Sequence, residues 1–468
     1  MMKRKSVYVA GLCFFAVANL MLSCSEQHTE TNSNNKNGMQ NDSLKSSKTT
    51  PEWAKNSTMY EVNIRQFTPE GTFKAFEAHL PRLKDMGVDI LWFMPVNPIG
   101  EKNRKGTRGS HYSVKNYNAL NPEYGTFEEF KALVAKIHEM GMYVLIDWVA
   151  NHSAWDNVWV KEHPEYYTKD TNGNFVPPVT DWTDVIDLNY DNPDLRRAMT
   201  DALIFWVKEA DIDGFRCDVA DMVPTDFWNN ARAELDIIKP VFMLAEAEKG
   251  EMHEKAFDMT YSWKLLHLMN DIAKKKKYPA EISDVLEWEK TEFPEEAFRM
   301  RFTSNHDENS WNGTVFERYG EGARTFAVLV ALLPGMPLVY GGQESALKKR
   351  LSFFEKDSIQ WSDYRFSDFY TTLLTLKKRN RALWNGSYGG SMQIVETPDS
   401  SFVFAFIRKN EDSEVLVVLN LSADPVTVSL VLNPGTYTDV FYNRETVFDG
   451  KEDFALMPWE YRVYEKKK

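Results

Sequence analysis

Between Thr58 and Gly342, short β-rich apolar segments alternate with longer amphipathic segments, and this alternation constrains the fold more than any other feature. The β-rich segments are predicted strands at residues 58–64, 89–94, 143–149, 212–219, 241–247, 257–261, 301–307 and 337–342. Strands that alternate with helices predict a parallel sheet, and eight such repeats predict a (β/α)8 TIM barrel. A doubly wound open sheet is the main alternative, but no early strand is followed by the G-x-G-x-x-G pattern that would favour it.

Two regions depart from the alternation. Residues 153–191, between the third and fourth predicted strands, contain many aromatic residues, prolines and glycines and have little helical periodicity. A long insertion at the carboxyl end of a barrel strand usually serves function. From about residue 387 the helical patterns stop, and alternating strands predict an antiparallel β-sandwich. We therefore expect a barrel domain over residues 53–386, which includes the insertion, and a C-terminal β-sandwich over residues 387–468.

The N-terminus has the pattern of an export signal. "MMKRK" is basic, residues 6–22 are mostly apolar, and Ser23 precedes Cys24. The pattern resembles a bacterial lipoprotein signal, which implies a signal peptide over residues 1–23 and a lipid on Cys24. The lipid would attach the protein to the bacterial cell envelope, at the outer membrane or the periplasmic face; an ordinary signal peptide cut near Ser23 is the alternative. Residues 24–52 have almost no large apolar side chains and predict a flexible tether.

Charge and cysteine content limit the partners and the covalent chemistry. The formal net charge is −13, so the protein repels polyanions and nucleic acid is not an expected partner. Cys13 lies in the predicted signal and Cys24 would carry the lipid, which leaves Cys217 without a partner for an internal disulfide. The N-terminal lipid is the only membrane contact that we expect, and the oligomeric state is left open.

Polar side chains accumulate where four of the predicted strands end. In a TIM barrel these ends meet at one rim, where the reactive groups of such enzymes lie. The side chains that we expect to meet at this rim are Asp147, Asn151, His152, Arg216, Asp218, Glu246, Glu248, His306 and Asp307.

The two charged residues of the fourth strand are separated by one position. Arg216 and Asp218 therefore share a face of the strand, and the guanidinium favours the ionised form of the carboxyl group. Cys217 points the other way and is interpreted as a small buried hydrophobic residue. Glu246, on another strand, is expected to be less well paired and to keep its proton more readily. One ionised and one protonated carboxyl group form the pair that breaks a glycosidic bond.

A metal site is the competing interpretation of the same rim. Asp147, His152, His306 and Asp307 are potential ligands, since carboxylate and histidine clusters bind zinc at barrel mouths. A paired arginine in the middle of the cluster disfavours a dication, and the sequence has no H-x-H pattern there.

Four stretches, in order and at barrel-like spacing, resemble the α-amylase family of retaining glycosidases, and the resemblance runs from about Trp53 to the C-terminus. The stretches are "DWVANH" (147–152), "GFRCDVAD" (214–221), "FMLAEA" (242–247) and "FTSNHD" (302–307). The resemblance implies hydrolysis of α-glucosidic bonds in starch-type glucans or maltooligosaccharides. A transglycosylase, a cyclomaltodextrinase- or neopullulanase-type enzyme of the same fold, and a non-catalytic glucan-binding relative are the alternatives.

The resemblance also implies a role for each matching position. Asp218 would be the nucleophile, Glu246 the acid/base and Asp307 the group that stabilises the transition state. Arg216 would orient Asp218, and Glu248 is the alternative acid. The residues that would bind the sugar at the cleavage position are His152, His306 and Tyr112, the last by stacking on its apolar face.

The sequence departs from the family pattern just after the expected nucleophile. Asp221 and Met222 stand where many α-amylases have Lys-His, so the subsite for the leaving group is altered and the usual calcium site is in doubt. The expected reaction requires no cofactor, and bound calcium is left open. Asn151 matches one calcium ligand of the family, and calcium takes six to eight oxygen ligands. Other ligands could come from the insertion, at Asp156, Asp170, Asn172, Asp181 and Asp184.

Overall fold

The structure is a computed structural model, and it describes residues 48–361, 363–398 and 401–467. Its strands, in chain order, are β1 (Met59–Val62), β2 (Ile90–Phe93), β3 (Tyr143–Trp148), β4 (His152–Ala154), β5 (Val185–Asp187), β6 (Gly214–Cys217), β7 (Phe242–Ala245), β8 (Met259–Tyr261), β9 (Phe298–Phe302), β10 (Met336–Tyr340), β11 (Ser391–Val395), β12 (Val403–Lys409), β13 (Ser413–Asn420), β14 (Val426–Val431), β15 (Gly435–Asp439), β16 (Arg444–Phe448), β17 (Lys451–Leu456) and β18 (Tyr461–Lys467).

The α-helices, in chain order, are α1 (Ile64–Phe67), α2 (Phe73–Glu77), α3 (Leu80–Met86), α4 (Phe127–Glu139), α5 (Val158–Glu162), α6 (Pro193–Ala210), α7 (Thr225–Ile238), α8 (Trp263–Ala273), α9 (Glu281–Glu292), α10 (Val315–Tyr319), α11 (Ala323–Leu332) and α12 (Ser367–Arg379). Most of the α-helices connect the barrel strands; α5 lies in the insertion, and α12 follows the last barrel strand.

Eight parallel strands close into a barrel in the ring order β1-β2-β3-β6-β7-β8-β9-β10. The ring follows the chain order, so the predicted (β/α)8 barrel is confirmed and the open-sheet alternative is wrong. The seventh strand is displaced from its predicted position: β9 ends at Phe302, and His306 and Asp307 lie in the loop after it. Phe298 and Met300 are buried and extend the strand toward the N-terminus, ahead of the predicted start at residue 301.

The helix boundaries follow capping residues. Thr126 and Glu129 form a reciprocal capping box at the start of α4, and the Asn192 side chain accepts hydrogen bonds from the first turn of α6. The amphipathic segment at 72–87 forms two helices, α2 and α3, with Pro81 in the first turn of the second. Proline lacks an N–H group, so it fits the start of a helix and interrupts a continuous one.

The insertion after β3 has a small sheet of its own. β4 and β5 pair antiparallel, with His152 opposite Asp187, and α5 lies between them in the chain. β3 ends at Trp148 and β4 begins at His152, so the insertion stands on the rim of the barrel.

The C-terminal residues form two antiparallel sheets. One has six strands in the order β11-β12-β13-β18-β15-β16, and the other pairs β14 with β17. Along β12, Phe404 and Phe406 belong to the core of the barrel, whereas Ala405 and Ile407 belong to the core between the two sheets. This period of two makes the larger sheet the central layer of the predicted β-sandwich, which is confirmed.

Residues 1–47 lie outside the described part of the chain, and with them the predicted signal peptide, the lipid at Cys24 and most of the predicted tether. The tether does not extend to residue 52 as predicted. Lys48 donates to the carbonyls of His253 and Phe257, and Thr50 donates to Asp258 at 2.6 Å. Lys48 and Thr50 are held by hydrogen bonds and not by burial of large apolar side chains. Composition alone therefore did not predict that they are ordered against the barrel. Among the described residues, none of the helices has the length and apolar character needed to span a bilayer.

Candidate active site

Arg216 lies at the centre of the barrel mouth, near the carboxyl end of β6, and its side chain is fully buried. The parallel register puts Asp147 of β3 beside Arg216, and Cys217 beside Ala245 of β7. Because β7 ends at Ala245, the next residue, Glu246, emerges at the same level as Asp218. The register therefore brings together polar residues that lie at, or directly after, the carboxyl ends of three neighbouring strands.

One guanidinium contacts three carboxyl groups. Nη1 of Arg216 donates to Asp147 at 2.8 Å and to Asp218 at 2.9 Å, and Nη2 lies 2.8 Å from Oε2 of Glu246. The expectation that Glu246 is less well paired than Asp218 is therefore wrong. Adjacent strands in a barrel are close enough for one long side chain to contact residues at the carboxyl ends of both neighbouring strands. Arg216 on β6 does so with Asp147 of β3 and with Glu246 after β7.

Burial and mutual repulsion oppose ionisation of this cluster. Burial raises the pKa of Asp147 to about 6, although Arg216 opposes the rise. Burial also raises the pKa of Asp218 well above its ordinary value; Arg216 lowers it, and Glu246 and Asp147 raise it further. Arg216 is shared by three carboxyl groups in a water-poor site and does not offset their burial, so the cluster holds protons more readily than free carboxyl groups do.

Val219, the residue directly after Asp218, has an unusual backbone conformation. Val219 has a φ of +35°, and a β-branched side chain rarely adopts this left-handed conformation. In this conformation its N–H group donates to Oε2 of Glu246 at 2.8 Å, and the N–H of Ala220 donates to the carbonyl oxygen of Glu246. The strained turn after Asp218 thus holds the carboxyl group and the backbone of Glu246.

His306 is held by acids and by a tyrosine in the loop after β9. Its Nδ1 lies 2.6 Å from Oε1 of Glu61, and its Nε2 lies 2.7 Å from the hydroxyl oxygen of Tyr112. The Tyr112 hydroxyl donates to Asp147 at 3.0 Å, so its oxygen accepts from Nε2–H, and both ring nitrogens carry protons. Burial alone would lower the pKa of His306, but the carboxylates of Asp307 and Glu61 raise it to about 9. The ring is a cation at neutral pH.

Asp307 lies at the edge of the same cluster. One of its oxygens is 3.3 Å from Nε2 of His306, and the side chain is partly exposed to the cleft. A π-helical turn, Glu308–Asn312, follows it directly, and such turns are frequent at functional sites.

His152 faces the nucleophile position from the start of the insertion. Its Nε2 lies 3.9 Å from Oδ2 of Asp218, and its ring meets the edge of Trp182 at 5.3 Å. Burial lowers the pKa of His152 to about 3, so this ring is neutral while that of His306 is charged.

The positions that were considered for calcium do not come together. The Asn151 amide contacts the Nδ1 atom of the neighbouring His152 at 3.2 Å. Asp156 accepts from the backbone of Glu101, and Asp170 accepts from its own turn. Within residues 48–361, 363–398 and 401–467, no three histidine, cysteine or acidic side chains are grouped as a metal site. The acids considered for calcium and the four rim residues considered for zinc therefore do not form such a group.

Glu248, the alternative acid, is occupied on the outside of the barrel. It accepts from Arg299 at 2.6 Å and from the backbone N–H of Lys264 at 3.0 Å. It does not line the cleft that contains Glu246.

A cleft of about 440 Å³ opens above Arg216, within the size range of small-molecule sites. The predicted residues that line it are Tyr112, His152, Asp218, Glu246, His306 and Asp307. The structure brings all six together around one opening. Asp147 and Arg216 lie beneath it, fully buried.

Sequence reasoning missed several residues of this site. Glu61 is fully buried in β1 and bonded to His306, and the only sign of it is an acid inside the apolar run "MYEV". The wall of the cleft also contains Trp311 of the π-helical turn, and Lys105, Trp182, Phe353 and Phe354, which lie in loops with no recognisable motif.

Comparison with known proteins agrees with this geometry. A family model described as the catalytic domain of alpha amylase matches residues 30–184 and 179–379, and a model of the maltogenic amylase C-terminal domain matches residues 392–463. Alpha-amylase MalA of Haloarcula japonica is 27% identical over 406 residues, which cover 81% of this chain and 57% of that protein. Alpha-amylase 3 of Dictyoglomus thermophilum is 25% identical, over 79% of this chain and 85% of that protein.

Two solved structures are similar along nearly their whole length. The noncanonic maltogenic alpha-amylase AmyB of Thermotoga neapolitana is 30% identical with a TM-score of 0.80, over 89% of this chain and 100% of that one. An alpha-amylase of Lactobacillus plantarum is also 30% identical with a TM-score of 0.80, over 88% and 99%. The catalytic-domain model alone spans well over half of the sequence, and the barrel and the sandwich have their counterparts in these enzymes. The chain therefore belongs to the α-amylase family of glycoside hydrolases.

Proposed function

We propose that the protein is a retaining glycosidase that cleaves α-glucosidic bonds in starch-type glucans or maltooligosaccharides. The observation that carries the proposal is the contact of one buried guanidinium with both Asp218 and Glu246 beneath a cleft of sugar size. Two carboxyl groups on one guanidinium are close together. Retaining enzymes need this short separation, about 5 Å, whereas inverting enzymes leave room for a water molecule.

The reaction proceeds in two displacements. Asp218 attacks the anomeric carbon while Glu246 protonates the leaving glycosidic oxygen, and a covalent glycosyl-enzyme forms. Glu246 then removes a proton from water, which releases the sugar with retained configuration. The N–H of Val219 donates to Oε2 of Glu246 at 2.8 Å, and Nη2 of Arg216 lies 2.8 Å from the same atom, so both groups orient the carboxyl group for its role as acid and base.

The remaining residues of the cleft bind the sugar at the cleavage position. Asp307 stabilises the positive charge that develops on the ring, and it accepts from sugar hydroxyls. Neutral His152 and charged His306 approach the same sugar from opposite loops. The Nε2 atom of His152 offers an N–H donor, whereas both N–H groups of His306 are held by Glu61 and Tyr112, so His306 contributes its charge. Tyr112 stacks on the apolar face of the sugar, supported by Phe353, whose ring lies 6.2 Å away at an angle of 13°.

A product profile tests the proposal. The enzyme is incubated with amylose, pullulan, cyclodextrin and maltotetraose, and the sugars are separated and followed by proton NMR. Release of α-anomers of shorter glucans supports it, and release of β-anomers contradicts the retaining mechanism. Products longer than the substrate would favour the transglycosylase alternative, and cleavage of cyclodextrin without amylose would favour the cyclomaltodextrinase type.

We also propose that Cys24 carries a lipid that attaches the enzyme to the bacterial envelope. Ser23-Cys24 after the apolar segment at 6–22 supports this. Mass spectrometry of the mature N-terminus tests it: a diacylglyceryl cysteine at residue 24 is expected, with loss of membrane association in Cys24→Ser. A mature chain that starts elsewhere, or a Cys24→Ser variant that remains on the membrane, would contradict it.

A further inference from the structure

Lys105 lines the cleft and belongs to residues 101–109, which we call the bridging segment; this segment is part of the loop after β2. On one side it contacts the insertion. The Nζ atom of Lys105 lies 2.9 Å from Oδ1 of Asp184 and donates to the carbonyl oxygen of Asp181 at 2.9 Å. The backbone N–H of Glu101 donates to Asp156 at 3.0 Å.

On its other side the bridging segment is bound to the loop after β10. The N–H of Arg108 donates to the carbonyl oxygen of Phe354 at 3.0 Å, and both the N–H and the hydroxyl of Thr107 donate to Glu355. Gly106 has a φ of +63°, and a Cβ atom there would lie 2.6 Å from Cβ of Phe354. The backbone is thus packed tightly against this loop, and only glycine fits at the contact.

A buried arginine fixes the same contact from below. Arg65 donates from Nη1 to the carbonyl oxygen of Gly109 at 3.0 Å and from Nη2 to that of Phe353 at 2.5 Å. The bridging segment is therefore held on both flanks, and it joins the loop after β10 to the insertion after β3 as one wall.

The position of the acid/base decides which end of the substrate meets this wall. Glu246 protonates the leaving oxygen, so the leaving part of the glucan lies on the β7 side of the mouth. The bridging segment follows β2, three strand positions from β7 around the ring. It therefore stands at the other end, toward which the sugars on the non-reducing side of the broken bond extend.

Lys105 and Asp184 line the cleft at this end, together with Phe353 and Phe354. Asp184 is buried, and Lys105 is about one-third exposed, so the ion pair faces the cavity. An ammonium donor beside a carboxylate acceptor matches a sugar hydroxyl, which both donates and accepts. An internal sugar of a chain would need space beyond the pair, where the wall stands.

We propose that the Lys105–Asp184 pair closes the non-reducing end of the cleft and binds the terminal sugar there, so that the enzyme cuts short units from chain ends. The inference rests on the proposed glycosidase function and specifies its substrate: the free non-reducing ends of α-glucans and maltooligosaccharides, in preference to internal bonds of a long chain.

The test compares two forms of nitrophenyl maltoheptaoside, one free and one with an ethylidene acetal on its non-reducing terminal sugar. Products are identified by mass spectrometry. We expect the blocked form to be cleaved about 100-fold more slowly, because the acetal clashes with the wall and removes the hydroxyls that the ion pair binds. If the free and blocked forms were cleaved at internal bonds at equal rates, the inference would be overturned and the glycosidase function would stand. If the free form were not cleaved at all, both the inference and the proposed function would be contradicted.

Variants test whether the Lys105–Asp184 pair causes the preference for the free substrate over the blocked one. Lys105→Ala should reduce the ratio of free to blocked rates about tenfold, and Asp184→Asn should act in the same direction. Lys102→Ala is the matched control, since Lys102 belongs to the same segment but lies over the Trp155 ring, outside the cleft; its ratio should equal that of the wild type. An unchanged ratio in both Lys105→Ala and Asp184→Asn would overturn the assignment. A thermal melt reports whether each variant is folded.

Discussion

Two buried clusters of the barrel, both built from arginines and acids, differ in the balance of charge. At the mouth, Arg216 contacts Asp147, Asp218 and Glu246. On the outer side of β9, two arginines meet two glutamates. Arg301 contacts Glu289 through both terminal nitrogens, at 2.7 and 2.5 Å, and Arg299 contacts Glu248 and Glu289.

The balance of charge determines whether a cluster keeps a proton. Burial alone would raise the pKa of Glu289, but Arg301 and Arg299 lower it below the ordinary value. Burial raises the pKa of Asp218, and Arg216 does not offset the rise because it is shared. Glu289 is thus held in its ionised form and stabilises packing, although burial still raises the pKa of Glu248 at the edge of its cluster. In the acid-rich cluster the carboxyl groups hold protons more readily, which suits chemistry.

Removal of the nucleophile should have the largest effect. In Asp218→Asn, kcat should fall by about 10⁴-fold or more, because the covalent intermediate cannot form. Thermal stability should be unchanged or higher, since one of three crowded carboxyl groups is gone. Hydrolysis of maltotetraose and a thermal melt measure the two effects, with the exposed Asp211→Asn as control. Retained turnover in Asp218→Asn, or a large loss of its thermal stability, would contradict the view that the cluster at the mouth serves catalysis and not stability.

The same kind of change in the balanced cluster should affect stability instead. Glu289→Gln leaves two buried guanidinium groups without their shared carboxylate, which should lower the free energy of unfolding by about 3–5 kcal/mol. Urea unfolding measures it. Glu287→Gln on the same helix removes an exposed partner of Lys290 and should change the value by less than about 0.5 kcal/mol. The kcat of folded Glu289→Gln should match the wild type, and a loss of stability no larger than in the control would contradict the prediction.

The smallest effect is expected from a change at Glu61, the buried acid that contacts the charged ring of His306. Glu61→Gln removes a carboxylate that holds the pKa of His306 near 9. The alkaline limb of kcat/KM should move down by about one to two pH units, because His306 loses its proton earlier. In the wild type the raised pKa also stabilises the fold below pH 6.5, and this contribution is lost as the pH rises toward 9. A pH profile with an unmoved alkaline limb would show that Glu61 does not set the charge of His306.

The sequence was sufficient for the parts of the site that depend on strand periodicity. Arg216 and Asp218 share a face because they are two residues apart in a strand, and Glu246 directly follows the apolar run of β7. The barrel brings these ends together by its ring order alone, so the motifs and the eight repeats sufficed for fold and rim.

Other contacts depend on distances that local patterns do not contain. Glu61 and His306 are 245 positions apart and meet only because the barrel closes between β1 and β10. The pairing of Glu246 with Arg216 follows from the register of two strands. Lys105 reaches Asp184 through loop conformations that carry no periodic signal.

The place where the chain enters the barrel has a practical consequence. The Trp53 ring stacks at 4.0 Å on Tyr143, the first residue of β3, and Thr50 donates to Asp258, just before β8. Both contacts are at the amino ends of the strands, opposite the catalytic mouth. A bead, a tag or a membrane lipid that is joined to the chain ahead of Lys48 would thus be attached on the side of the barrel opposite the catalytic mouth. An enzyme immobilised in this way would present its opening to the surrounding solution, and its rate on bulky glucan should equal that of the free enzyme.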